Sequence, residues 1–301
     1  MSSPVRAPSP PLVTIVTPSF NQGQFIAGTI DSVLAQGYTP IEYLVVDGGS
    51  TDGTIEVLRS YGDRIRWTSG PDAGQSDAIH RGFLAASGEY IAWLNSDDLY
   101  LPGAVGAAIS ELQADPSVAL LYGGAEYIDR DGASIGSQRV EPWSRQQLLG
   151  THNFVAQPAT FFRRDAYLAI GGLNTKLQYV MDYDLWIRLG SRYPVRSTQR
   201  VLAQVRAYGD TKSSTGGLAR MEELERMIRS NGGRGLPRNF RREMWLALRD
   251  ASAAAGRDRQ FGRAARLAAR STPYAMRAAI WKLRRSLPGR GQAPNGSGDS
   301  G

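Results

Sequence analysis

Four short apolar runs, each handed on to an amphipathic segment, constrain this chain more than any other feature. Leu12–Thr17, Ile41–Val46, Ile65–Thr68 and the stretch from Tyr90 to Leu94 are rich in β-branched or aromatic residues. Such continuous runs are the pattern of strands buried on both faces. After the first, Phe25, Ile26, Ile30, Val33 and Leu34 recur near a 3.6-residue period, and Gly37 closes the helix they predict. Helices over Ile55–Tyr61 and Gln75–Ala86 repeat the alternation. That rhythm predicts α/β architecture: βαβ units, right-handed crossovers and a doubly wound, mostly parallel (mixed) sheet.

In such a sheet, ligands bind beyond the carboxyl ends of the strands. Here those ends carry acids. The second run stops at Asp47, before Gly48-Gly49-Ser50-Thr51-Asp52-Gly53-Thr54, and the third is followed by Asp72 and Asp77. The fourth stops at Asn95-Ser96-Asp97-Asp98. Taken singly, each has a bland reading: Asp47 a turn-former, Asp77 a first-turn acid favoured by the helix dipole, Asp97-Asp98 a turn with an N-cap. The sharper reading of Asp97-Asp98 is oxygen ligands for a divalent cation that also bridges phosphates. Acids at successive strand ends on one face favour a site.

Downstream, Pro102 fits the first turn of a helix reaching Asp115, and Val118–Tyr122 reads as a strand. Glu126–Ile128 and Ser134–Gly136 flank Asp129-Arg130-Asp131-Gly132 as a hairpin. Ala159–Arg163 is a strand, Arg164–Ile170 a helix ended by Gly171-Gly172, and Tyr179–Leu189 a helix carrying Asp182 and Asp184. Val201–Val205 is the last strand and Leu218–Ser230 the helix after it. Beyond Pro237 the pattern is helical only: Phe240–Ala255, Asp258–Ala269 and Tyr274–Leu287, with breaks at Gly256 and Pro273. The expected organisation is a disordered lead-in over 1–11, a catalytic domain over 12–233, a basic helical extension over 234–288 and a disordered tail over 289–301.

Composition narrows the chemistry. The 301 residues contain no cysteine, which excludes disulfides and thiolate metal sites, and only His80 and His152, which excludes a multi-histidine zinc site. The net charge of +7 is unevenly placed. Arg234–Arg290 holds fifteen Lys/Arg against Glu243, Asp250 and Asp258, on a mildly acidic body. The start lacks an apolar signal-peptide core, and no run approaches a membrane span, so a cytoplasmic protein is expected. The basic helices read either as solvated faces packing on the catalytic domain or as a peripheral contact with anionic lipid on the inner face of the cell membrane. No nucleic-acid fold or motif is present, so no nucleic-acid partner is expected.

From Val13 to about Gly190 the residues resemble the family-2 glycosyltransferases of the GT-A fold. The resemblance rests on Thr17-Pro18-Ser19-Phe20-Asn21, Val45 through Thr54, Asp72 with Gly74-Gln75-Ser76-Asp77-Ala78, and Leu94-Asn95-Ser96-Asp97-Asp98. It continues through Gln157-Pro158, Phe161-Phe162-Arg163, Gly171-Gly172-Leu173 and Met181-Asp182-Tyr183-Asp184-Leu185-Trp186. It implies an inverting, metal-dependent enzyme that moves a sugar from a nucleotide-diphosphate-sugar to a hydroxyl of a glycan or lipid-linked acceptor, in cell-envelope or exopolysaccharide assembly. Pro18 and Phe20 would contact the nucleobase and Asp47 the base or ribose, with Asp77 also on the donor side. Asp97 would hold Mg²⁺ or Mn²⁺ on the diphosphate, and Asp182 would be the general base.

Two positions depart from the family pattern. Asn95 replaces the first acid of the metal motif, leaving at best a ribose contact. Met181 stands where an acid would precede Asp182, so the base role falls on Asp182, with Asp184 as fallback. On a helix these two project about 200° apart and cannot serve one pocket. Asp72 and Asp98 remain weaker candidates. Two rivals stay open: a sugar nucleotidyltransferase, although Ser19–Gly23 lacks the basic residue its triphosphate loop needs, and a non-catalytic nucleotide-sugar-binding scaffold anchored by the basic helices.

Overall fold

The computed structural model describes residues 9–286, so the expected tail, most of the lead-in and Leu287 lie outside the described residues. The chain divides into two compact units, one ending at Arg238 and the other beginning at Asn239. The first unit opens with β1 (Val13–Ser19), α1 (Ile26–Leu34), β2 (Ile41–Asp47), α2 (Thr54–Ser60), β3 (Arg66–Ser69), α3 (Gln75–Ala85) and β4 (Tyr90–Trp93). It continues through β5 (Leu99–Tyr100), α4 (Ala104–Gln113), β6 (Leu120–Ile128), β7 (Ser134–Gln138), α5 (Arg145–Gly150), β8 (Thr160–Arg163) and α6 (Arg164–Ala169). Then come α7 (Met181–Arg192), β9 (Val195–Arg206), α8 (Lys212–Thr215) and α9 (Gly217–Ser230).

One sheet runs β3-β2-β1-β4-β8-β6-β9-β5, with β7 paired to β6. The βαβ half, β3 to β4, is parallel throughout. β8 then enters antiparallel to both β4 and β6, while β6 and β9 are parallel. All seven residues of β1 are buried, as its continuous apolar pattern requires at the centre of a covered sheet. Register aligns the strand ends: Ser19 pairs with Asp47, Asp47 with Ser69, and the amide of Leu94 donates to the carbonyl of Val16. The loops after β1, β2, β3 and β4 therefore open on one edge.

An aromatic cluster fixes α7 against this half. Trp93 of β4 stacks on Trp186 of α7 at 5.3 Å, and Phe83, Phe162 and Tyr167 pack edge-on or tilted around them. Trp93 and Trp186 are almost wholly buried. Such ring pairs contribute specific geometry beyond area burial, and here they set where the first turn of α7 lies relative to the end of β4.

The second unit contains α10 (Arg241–Arg257) and α11 (Phe261–Ser286). Two expected breaks are corrected here. Gly256 lies inside α10, and the turn falls instead at Arg259, whose φ of 58° is left-handed. Pro273 lies inside α11, so the stretch from Tyr274 continues one long helix rather than starting a third. Proline removes one donor and crowds the carbonyl four residues earlier, and near that carbonyl Ser271 and Thr272 turn their hydroxyls back onto the Ala268 carbonyl. In the first unit, α4 begins at Ala104, two residues after Pro102. No helix among the described residues is long and apolar enough to cross a membrane.

Candidate active site

At the end of β2, Asp47 is the centre of its loop. Its Oδ2 accepts from the amides of Gly49 and Ser50 at 3.0 and 2.9 Å and from the Ser69 hydroxyl at 2.7 Å, and Oδ1 accepts from the Ser50 hydroxyl. Burial pushes this carboxyl upward, but the hydrogen bonds from Ser50, Ser69 and Gly49 outweigh it and hold the pKa below the usual range. The neighbouring loop after β1 is tied down too. Asn21, Gln22 and Gly23 donate their amides to Ser50, Thr54 and Asp52.

Phe20, just past the end of β1, is 60% exposed, whereas Pro18 is buried within the strand. A methyl group at Gly48 would stand 3.0 Å from Asp72 Oδ2 and 3.3 Å from the Phe20 ring, so the three meet at one place. Asp72 also accepts from the Gly74 amide at 2.7 Å. Asp77, in the first turn of α3, accepts from the Ala73 amide at 3.1 Å and faces Arg81 at 3.8 Å.

The end of β4 is built differently. Asp98 is 3% exposed and accepts from the Arg206 amide at 3.0 Å and Asn95 Nδ2 at 3.1 Å. It caps no helix; it joins the loop to β9. Asp97 points to a partly open position, and its Oδ2 accepts from the Tyr208 hydroxyl at 3.0 Å. Burial pushes the Asp97 pKa up despite Tyr208 and Arg206, and burial together with the charge of Asp97 pushes Asp98 well up. The side chain of Asn95 is engaged on both ends, accepting from Gln75 at 2.9 Å and donating to Gln157 at 2.9 Å.

Asp182 occupies the first turn of α7. Desolvation raises its pKa, against the amides of Tyr183 and Asp182 itself and the charges of Arg220 and Lys212. Asp184 is 4% exposed and held by Arg188 at 2.7 Å and Asn231 at 3.0 Å. Lys212 closes the circle: it donates to Gln75 Oε1 at 3.2 Å and interacts electrostatically with Glu223, Asp182 and Asp72. The Asp72 loop, the loop that begins at Asn95 and the start of α7 are therefore tied together through Lys212 and Gln75, and Phe20 and Gly48 meet the same Asp72.

Sequence reasoning missed Arg206, Tyr208, Lys212 and Glu223. Arg206 reaches Asp97 and Asp98 across more than a hundred residues, and no local period marks such a partner. Gln75 and Gln157 lay in recognised motifs without a role.

Among the described residues, no group of three or more His, Asp or Glu side chains could hold a metal by itself. Asp97 supplies one partly open carboxylate. That fits a Mg²⁺-like ion, which takes one or two carboxylates and completes its shell with substrate phosphates and water.

The arrangement is that of GT-A glycosyltransferases. S. aureus TarS, solved with UDP-GlcNAc, matches with a TM-score of 0.60 at 14% identity over 79% of this chain and 71% of that one. A mannosyltransferase from Pyrobaculum calidifontis, solved with GDP-Man and Mn²⁺, matches with a TM-score of 0.58 at 20% identity over 92% of this chain and 88% of that one. The family described as glycosyl transferase family 2 matches residues 14–170, and the chain belongs to it. An uncharacterized glycosyltransferase of Rickettsia typhi is 31% identical over 71% of this chain and 70% of its own length. A Pasteurella multocida chondroitin synthase is 30% identical over 67% of this chain. The chain spans 35% of a similar Rickettsia felis protein and 21% of that synthase.

Proposed function

We propose that this glycosyltransferase moves a sugar from a nucleotide-diphosphate-sugar to an acceptor hydroxyl with inversion at the anomeric carbon. The observation that carries the reading is the link through Lys212, which interacts with Asp182 at the start of α7 and donates to Gln75, the partner of Asn95 in the loop that bears Asp97. Phe20 offers an exposed ring for the nucleobase, and Asp47 holds the loop beneath it in shape. A divalent cation held by Asp97 and the donor diphosphate would supply charge stabilisation for the leaving group. Asp182, its pKa raised toward the range useful for a base, takes the proton from the attacking hydroxyl. Asp184 is committed to Arg188 and Asn231, so one carboxylate remains for the acceptor side, which supports single displacement over a two-carboxylate retaining route. The loop from Asn21 to Gly23 speaks against a nucleotidyltransferase, because its amides already bind side chains and are not free to cradle a triphosphate.

The acceptor we infer is a cell-envelope or exopolysaccharide glycan, free or lipid-linked, met at the inner face of the membrane. The excess of arginine in α10 and α11 supports peripheral contact with anionic lipid. Vesicles containing phosphatidylglycerol should carry the protein upward in flotation, and the chain cut after Arg238 should stay behind.

The test of transfer is a panel of nucleotide-sugars, including UDP-GlcNAc and GDP-mannose, with and without Mn²⁺. The right donor should raise the unfolding midpoint by mass action, more so with Mn²⁺. A product whose anomeric configuration is retained would overturn inversion, and full transfer by Asp182→Asn would overturn the base.

A further inference from the structure

Helix α7 begins without a cap of its own: Val180 stands at the N-cap position and provides no side-chain hydrogen bond. The donors ahead of the helix go instead to Glu223, which comes from α9. Its two carboxylate oxygens accept from the amide of Gln178 at 3.0 and 2.9 Å, and Oε1 accepts from Tyr179 at 2.6 Å and Val180 at 3.1 Å. Glu223 is 7% exposed. An ordinary capping box would draw its acid from the helix's own first turn. Here the first turn offers Asp182, whose ionised form is favoured by the backbone amides of Tyr183 and of Asp182 itself. Two carboxylates from different helices thus divide one helix start.

The division has electrostatic content. A helix start carries roughly half a positive charge and favours an ionised acid near it, which would make Asp182 a weaker base. Glu223 occupies the preceding amides and sets a negative charge on the same end. The other charged or titratable groups facing Asp182 are Lys212 from α8, Arg220 from α9 and the Tyr183 hydroxyl from its own helix. Asp184 is turned to Arg188 and Asn231.

We propose that Glu223 is a positioning residue for Asp182, fixing the start of α7 through the amides of residues 178–180 and opposing the helix field that would otherwise weaken Asp182 as a base. The catalytic meaning rests on Asp182 being the base; the coupling of the two carboxylates does not.

The coupling is read without substrate. In protein carrying ¹³C at aspartate carboxyl carbons, with the Asp182 signal assigned through Asp182→Asn, Glu223→Gln should move the Asp182 titration to lower pH. Amide exchange at Gln178, Tyr179 and Val180 should quicken about tenfold or more as their acceptor weakens. Glu223→Asp, which keeps the charge but draws it back, should quicken the same amides while moving the titration less, and it carries the test if the glutamine variant does not fold. An Asp182 titration that stays put or rises, or amides that exchange as in the parent, overturns the proposal. In the transfer assay, Glu223→Gln should lower kcat while leaving donor KM within about twofold. If Asp182→Asn lowers transfer and Glu223→Gln does not, the positioning role fails alone; if Asp182→Asn does nothing, the base assignment has failed instead.

Discussion

At the end of β2, Asp47 accepts four hydrogen bonds and is almost wholly buried; at the end of β4, on the other side of β1, Asp97 accepts from the Tyr208 hydroxyl and stays partly open. Hydrogen bonding holds the first carboxyl below its ordinary pKa, while burial lifts the second above it. Both stand where an open α/β sheet meets its ligand, yet one is satisfied by the protein and the other is left with capacity. A satisfied acid shapes a loop. An under-satisfied one is available to a ligand, and the fold carries the cost of keeping it so.

The contrast breaks most readily at Asp97. Asp97→Asn should lower transfer about a thousandfold, the size expected when several kcal/mol of charge stabilisation at the leaving group is lost, and Mn²⁺ should no longer raise the unfolding midpoint of the donor complex. Without ligands the same substitution should stabilise the fold at neutral pH. A carboxyl with a raised folded pKa resists ionisation, so the parent loses stability as pH rises from the ordinary value of 3.8 through the raised one. An unchanged or lower midpoint at pH 7 would refute that half.

Asp47→Asn should do the opposite. It confronts donors with donors and should cost about 2 kcal/mol in denaturant unfolding, with donor affinity falling only as the loop loosens. Because the folded pKa lies below the ordinary value, the parent's advantage is present above 3.8 and disappears as pH falls through the folded value. Phe20→Ala is the smallest change. Loss of one stacking face should raise donor KM about fivefold, roughly 1 kcal/mol, with kcat and stability unmoved; an unaltered KM would remove Phe20 from the donor site.

The parallel half of the sheet was legible because each of its strands is a continuous apolar run that needs no distant partner to be recognised. The other half was not. β9 spans Val195–Arg206, but its first half reads Val-Arg-Ser-Thr-Gln-Arg, and only Val201–Val205 looks like a strand. β5 is two residues long and exists because β9 lies beside it. The site divides along the same line. Asp47 and Asp97 lie at the ends of strands, and Asp182 in a helix, that announce themselves, whereas Lys212 lies outside any expected element and Glu223, though in an expected helix, carries no local sign of its partners. Pro273 shows the converse: a strong local rule for breaking a helix gives way inside α11.

Arg206 binds the carbonyls of Asp97, Asp129 and Arg130 through its guanidinium, and its amide binds Asp98. The order of synthesis therefore differs from the order of completion. The strands from β1 to β4 can pair while the chain is still emerging, since domains fold from the N-terminal side as they are made. Asp97 and Asp98 are made early relative to their partners, and the groups that settle them arrive more than a hundred residues later. A ribosome stalled before β9 would hold a recognisable half-sheet with its acidic loop unmade, and that loop would reach its final shape only as β9 docks.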